Sequence, residues 1–358
     1  MTTRRGFLAS LIATAALPRL TWADAGNPSY LAAAREGDGA YALFGLDGQG
    51  QDVFRIPVPG RGHAATAHPV APEAVAFARR PGTFALVVDC ARGRVAHRLD
   101  APPGRHFYGH GAFIAGGDVL CTSENHVDSG QGRIGLWSRR EGYRRIGEME
   151  SGGIGPHELL ALSGGGLSDD VLVIANGGIR THPDHGRAKL NLDSMRPNLS
   201  YASESGVEEV VELPDDLAQA SIRDLASDGA EVAFAMQWQG EPGDPVPLLG
   251  LHRRGAAPRL CSADLAEQVA MQGYAGSVAM TGGQVGITSP RGGRVHLFGR
   301  SGNFTGAILR RDVCGLAADG NDLLATDGLG GVLSLRQGRV VPRQMADRAW
   351  DNHLVRIG

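Results

Sequence analysis

Seven short polar or glycine-containing openings, each followed by a small or apolar run, recur along the chain. They are Arg61-Gly62-His63, Gly109-His110-Gly111, Gly155-Pro156-His157, Ile222-Arg223-Asp224, Ala275-Gly276-Ser277, Val313-Cys314-Gly315 and Asp351-Asn352-His353. Taken at His63, His110, His157, Asp224, Ser277, Gly315 and His353, the intervals are 47, 47, 67, 53, 38 and 38 residues. A propeller blade of four short strands needs a period of about 40–50 residues. The long interval contains an insertion of 21 residues, about Gly178 to Asn198 in the third unit, and without it the spacing falls to 46.

Between the openings the chain reads as strands. Apolar runs of four to eight residues, such as Glu73 to Arg79, Thr83 to Asp89, Val171 to Ala175 and Val295 to Gly299, are β-branched or aromatic and end in turn formers. The one helical candidate, Asp264 to Met271, is short. After His353 only one strand's length remains, while Tyr30 to Arg35, Tyr41 to Leu46 and Val53 to Pro57 precede the first opening. These three strands are expected to complete the seventh blade beside the C-terminal strand, which removes open sheet edges. The expected fold is therefore all-β, a seven-bladed β-propeller spanning 26–358 as one domain. A pair of β-sandwiches or an irregular β-solenoid is the competing architecture.

In such a ring the blade openings and the loops joining second to third strands share one face. The openings hold His63, His106, His110, His157, Glu158, Arg223, Asp224, Ser277 and His353. The second-to-third loops are expected to hold Arg79, Arg80, Glu124, Asn125, His126, Asn176, the insertion with His182, His185 and Arg187, then Gln237, Arg291 and Asp327. The expected ligand-binding set at that mouth is His63, His106, His110, Glu124, His157, Glu158, Asn176, His182, Arg187, Arg223, Asp224, Gln237, Asp327 and His353. Imidazole nitrogen and carboxylate oxygen together suit iron, copper, zinc or manganese, and His63, His110, Glu124 and His157 are the candidate metal ligands. The plain alternative is that each imidazole ties neighbouring blades together through backbone carbonyls. Signatures of serine hydrolases, zinc peptidases, P-loops, EF-hands and covalent haem attachment are absent from the sequence. A glycosidase-like carboxylate pair stays open, with Glu124, Glu158, Asp193 and Asp224 as candidates, and so does a metal-dependent oxidoreductase or lyase on the same cluster.

The first 25 residues, with Arg4-Arg5 before Gly6-Phe7-Leu8, an apolar stretch from Phe7 to Leu17 and Ala23-Asp24-Ala25, are expected to be a twin-arginine export signal. The apolar stretch is too short for a permanent span, which needs about 20 apolar residues. The mature chain is thus expected in the periplasm without a membrane span. Removing the signal takes the net charge from −3 to −5, with 32 basic against 37 acidic residues, so no counterion-releasing basic face and no nucleic-acid partner is expected. The sole lysine is Lys189, and the preference for arginine is given no functional weight. Cys90, Cys121, Cys261 and Cys314 lack the spacing of a metal ribbon or redox motif and are expected mostly as buried thiols; a Cys90–Cys121 bridge between neighbouring blades stays open.

Several longer motifs carry a family resemblance: Phe77-Ala78-Arg79-Arg80-Pro81-Gly82, Arg105-His106-Phe107-Tyr108-Gly109-His110-Gly111, Gly153-Ile154-Gly155-Pro156-His157-Glu158, Ala175-Asn176-Gly177-Gly178-Ile179 and Lys189-Leu190-Asn191-Leu192-Asp193, with the first and last openings. With these the chain resembles domain-of-unknown-function family 1513 over nearly all of its mature length. The resemblance implies an exported bacterial propeller similar to the quinoprotein amine dehydrogenase β-chain and YVTN propellers. It also implies a role in iron acquisition beside imelysin-like iron proteins and a di-haem peroxidase-like protein, and no proven catalytic residue. At Asp224 the family pattern leads one to expect His. The function expected is a periplasmic binding or scaffold protein with a His-rich ligand or partner site at one mouth of the channel, holding iron or another transition metal.

Overall fold

The computed structural model describes residues 19–78, 84–162, 170–186, 188–241 and 243–357. Seven four-stranded antiparallel sheets stand in a ring, and the innermost strand of each blade touches that of the next. Blades 1 to 6 occupy 62–100, 105–154, 156–212, 220–261, 277–309 and 313–345. In blade 7 the innermost strand is C-terminal, Arg348–Arg356, and pairs with Tyr30–Glu36, followed by Tyr41–Leu46 and Asp52–Val58. The two ends of the chain are thus hydrogen-bonded in one sheet, with Tyr30 opposite Arg356 and Ala32 opposite Leu354, as expected from the unpaired N-terminal strands.

Blade-to-blade packing follows from the alternation of apolar residues along each strand, which buries both sheet faces. Seven hydrophobic clusters form, one at each interface. Between blades 1 and 2, for example, Val75, Phe77 and Val87 meet Phe107, Leu120 and Trp137; between blades 6 and 7, Leu324 and Val332 meet Phe44 and Trp350. Each large side chain so buried contributes roughly 1.5–3 kcal/mol. Polar ties reinforce the same interfaces. Glu73 of blade 1 accepts hydrogen bonds from Arg139 Nε and Nη2 (2.9 and 2.7 Å) and from the Tyr143 hydroxyl of blade 2. Arg61 grips both carboxylate oxygens of Asp351 across the closure between blades 1 and 7.

The insertion joins the second and third strands of blade 3 and contains two single turns of 3-10 helix, Pro183–His185 and Leu192–Ser194. The short helix is Leu265–Ala270, between blades 4 and 5. All four cysteines are buried free thiols, so no bridge joins Cys90 to Cys121. Residues 1–18, with the twin arginines, lie outside the described residues. Trp22–Ala25 form a short turn against the barrel wall, where Trp22 Nε1 donates to the His68 carbonyl at 2.9 Å, so the cleavage point expected after Ala25 falls at the edge of a packed turn. Among the described residues no helix is long and apolar enough to cross a membrane.

Candidate functional site

Most of the openings recognised in the sequence coincide with β-bulges. In six of the seven blades the pairing of the innermost strand with its neighbour slips at the opening: at His63-Ala64, at Tyr108 to His110, at His157-Glu158, at Arg223, at Cys314-Gly315 and at Asp351 to His353. Blade 5 is regular there, with Ser277 opposite Thr288. A bulge leaves extra residues outside the ladder and re-aims their side chains, and here it turns polar side chains toward the channel axis. Gly109 has a φ of +100°, and a Cβ on it would lie 2.6 Å from the His63 ring, so glycine is what lets the imidazole of blade 1 lie against blade 2.

Six of these side chains converge. His63 Nε2 and His110 Nε2 are 3.2 Å apart, and ring centroids are 4.7 Å apart for His63–His110, 5.3 Å for His63–His353, 5.4 Å for His63–His157 and 4.4 Å for His110–His157. Two ligand groupings share His353: His63, His110 and His353, and Glu158, Asp224 and His353, with one ligand atom from each residue within 4.8 Å of the others in its group. His110 Nδ1 lies 2.7 Å from Glu158 Oε2, off the direction of a ring N–H bond, and His353 Nδ1 is 3.6 Å from Asp224 Oδ1.

Burial and these contacts set the protonation pattern. Desolvation holds His110 and His157 well below the ordinary imidazole range, and neighbouring cationic groups push the same way, so both are neutral. His157 Nδ1 is 2.7 Å from the Arg223 carbonyl oxygen, which can only accept, so Nδ1 carries the proton and Nε2 keeps its lone pair. That tautomer and orientation are typical of metal-ligating histidines. Desolvation raises Glu158 far above the carboxylate range, and the nearby charge of Asp224 adds to this. Asp224 is desolvated too, but the hydrogen bond and charge of His353 and the Val278 N–H (2.7 Å) outweigh burial and keep it ionised. His353 is correspondingly raised, the Asp224 contact overcoming desolvation. The result is one acid, one ion pair and neutral imidazoles with lone pairs, arranged at the channel's centre.

A cavity of about 780 Å³ lies beyond this cluster, lined by Glu158, Asp224 and His353 at its floor and by Ala65, Leu159 and Val278 on its walls. It extends to the turns at Pro69, Gly116, Asp228 and Gly282, which join first to second strands at the opposite end of the channel from the openings. The acid pair therefore faces the mouth that the sequence reading left without chemistry.

The remaining expected site residues are not part of this convergence. Glu124, expected as a metal ligand in a loop, lies within the strand Val119–His126, wholly buried, and both its oxygens are taken by Arg145 (2.8 and 3.0 Å) with Thr122 Oγ1 at 2.7 Å. Asp327 likewise ends the second strand of blade 6, pairs with Arg310 and accepts the N–H groups of Leu329 and Gly331. Buried Asn176 brackets blades 2 and 3 by donating to the Ser151 carbonyl and Asn198 Oδ1. His182 caps a 3-10 turn, accepting from Asp184 N. Gln237 Nε2 donates to the Ala275 carbonyl, and His106 is buried on the blade 2 inner strand. Arg223 sits on the blade 4 bulge above His157. Arg79, Arg80 and Arg187 lie outside the described residues. Lys189 reaches from the insertion to Gln239 of blade 4, donating from Nζ to Gln239 Oε1.

No curated protein matches the chain. Among solved structures it is similar to the crystal structure of BamB from Moraxella catarrhalis, with a TM-score of 0.51, 11% identity, and coverage of 89% of this chain and 90% of that one, a likeness of fold alone. The family model described as "Protein of unknown function (DUF1513)" matches residues 56–357, from the last strand before blade 1 to the final strand of blade 7, and the chain therefore belongs to the DUF1513 family.

Proposed function

We propose that the protein is a periplasmic binding propeller, exported by the twin-arginine route, whose channel histidines hold a transition-metal ion. The observation that carries this reading is the 3.2 Å separation of His63 Nε2 and His110 Nε2 with His353 beside them. Two imidazole nitrogens about 2.0–2.1 Å from one tetrahedral ion stand about 3.3 Å apart. His63 and His110 form the nitrogen set with His353, which must release its proton to ligate; His157, neutral with its Nε2 lone pair kept, is the fourth candidate, and Glu158 and Asp224 supply oxygen nearby. Such a set suits iron, copper or zinc. Iron is the choice this reading makes, because the family resemblance places members beside imelysin-like iron proteins and a di-haem peroxidase-like protein, the partners it implies. Exporting the protein already folded would let the metal be inserted before translocation.

The cavity beside Glu158 and Asp224 favours a second reading, a metal-dependent oxidoreductase or lyase whose substrate enters from the opposite mouth. Elemental analysis of protein purified from the periplasm tests the first reading. One equivalent of metal per chain, lost in His110→Ala, is expected; metal-free protein that takes up none on titration with ferrous, cupric or zinc ions contradicts it. Turnover that requires both the metal and Glu158 would favour the enzyme.

A further inference from the structure

The two groups of ligand atoms at the channel's centre differ in donor chemistry and in surroundings. His63, His110 and His353 offer nitrogen alone, whereas Glu158, Asp224 and His353 offer two carboxylate oxygens and one nitrogen within 4.8 Å of one another. Ligand atoms about 2.0–2.2 Å from one ion stand at most about 4.4 Å apart. The two groups have only His353 in common, so a single ion does not take up all five side chains as they stand. Their access differs too. Glu158, Asp224 and His353 line the cavity of about 780 Å³ that runs to the far mouth, and His63, His110 and His157 do not.

The oxygen group is held from three blades. Asp224, 5% exposed on the inner strand of blade 4, accepts the Val278 N–H of blade 5 on Oδ2 at 2.7 Å, while its Oδ1 is 3.6 Å from His353 Nδ1 of blade 7. Such a hydrogen bond from a neighbouring strand orients a ligating carboxylate. Glu158 of blade 3 takes the Leu159 N–H on Oε1 at 3.3 Å, and its Oε2 is 2.7 Å from His110 Nδ1. His110 is 1% exposed, and this nitrogen has no hydrogen-bond partner. A ring nitrogen and a carboxylate oxygen this close, off the direction of a ring N–H bond, are held together by a proton or a cation between their lone pairs. On the cavity side, Ala65, Ala112, Ala161 and Ala317 keep the wall small, which leaves space for an ion's remaining waters.

We infer that Glu158, Asp224 and His353 form a second cation site, for a partly hydrated divalent ion of the manganese or magnesium class that enters from the far mouth. Carboxylate oxygen and water suit these ions, which keep several waters when bound. Ligation displaces any proton on Glu158 or His353, so the ion is held more weakly than at the nitrogen site and exchanges with the cavity. It is therefore lost on purification and adds nothing to the metal content of the isolated protein. The inference deepens the metal-binding reading and rests on it for the neighbouring nitrogen site, not for the oxygen ligands.

The test uses the full folded chain, stripped with chelator, loaded with one equivalent of zinc and titrated with manganous ion, free manganese being read by its electron paramagnetic resonance signal. One further equivalent is expected to bind. Its affinity should fall roughly tenfold or more in D224N and in E158Q, a change of about 1.4 kcal/mol or more, with the zinc retained. Both substitutions keep the side chain's shape, and an unchanged melting temperature verifies the fold. H63A should lose zinc and keep manganese. D170N, whose carboxylate lines the far end of the same cavity and takes the Ala115 N–H, should bind as the parent does. No manganese bound at millimolar concentration, equal affinity in D224N and E158Q, or displacement of the manganese by the first equivalent of zinc overturns the inference. Zinc bound without manganese leaves the histidine site standing; manganese bound through Asp224 without zinc supports the second site and contradicts the first.

Discussion

The two sides of the channel use the same strand position in opposite ways. On blades 7, 1, 2 and 3 it carries His353, His63, His110 and His157, and blade 4 adds Asp224. On blades 5 and 6 it carries Ser277 and Gly315. Blade 5 has no bulge there, and a Cβ on Gly315 would lie 2.9 Å from the Leu354 backbone nitrogen and 2.5 Å from Thr326 Oγ1, so blade 6 has no room for a side chain beside the closing strand. The lesson is that a repeated backbone position becomes a site only where a bulge re-aims the side chain and the neighbouring blade leaves room for it. Sevenfold architecture here yields a one-sided cluster.

That contrast can be broken most severely by removing two imidazoles. H63A/H110A is expected to weaken metal binding by roughly 100-fold or more, read by competition with a chromophoric chelator, while Ser277→Ala across the channel leaves the affinity unchanged. Equal losses from both would erase the distinction between the sides. Next in size is the buried carboxylate that lies outside the cluster. Glu124→Gln removes one of the two carboxylates held by Arg145, Glu148 remaining at 2.9 Å, and should cost about 2–3 kcal/mol in chemical denaturation, with metal stoichiometry intact. Loss of metal in that variant would return Glu124 to the ligand set.

A pH effect is expected away from the cluster, at the far mouth. Burial lowers His68 to about 4, with the charge of Arg139 acting in the same direction, and its Nδ1 accepts the N–H groups of Val70 and Ala71. Its folded pKa lies below the unfolded value of about 6.5, so between these values the unfolded chain binds the proton and the folded chain does not. This contribution is complete above about 6.5 and is lost as pH falls toward 4, amounting to about 2 kcal/mol once residual solvent screening is allowed for. His68→Gln should flatten that part of the stability curve, and an unchanged slope would count against the assignment. The smallest effect belongs to the ring's outer closure: Asp52→Asn removes a bidentate partner of Arg348 and should change stability by less than about 1 kcal/mol.

The ring was legible because its cause is local: short apolar runs, turn residues and a repeated opening record strands and blade boundaries directly. The four channel histidines were legible for the same reason, since each stands at the same point of its repeat. The carboxylates were not separable in advance. Glu124, wholly buried, and Glu158, partly buried, both stand near histidines in sequence, but Glu124 finds Arg145 21 residues away in its own blade, whereas Glu158 meets Asp224 and His353 from other blades. Residue type announces a charge; only the packing of the blades decides what neutralises it.

The most direct test of the convergent cluster is a crystal of the metal-loaded protein measured at the absorption edge of the bound element. One anomalous peak is expected within about 2.0–2.3 Å of His63 Nε2 and His110 Nε2, on the channel axis. A stoichiometric peak at another place, or none from crystals soaked in metal, would contradict it.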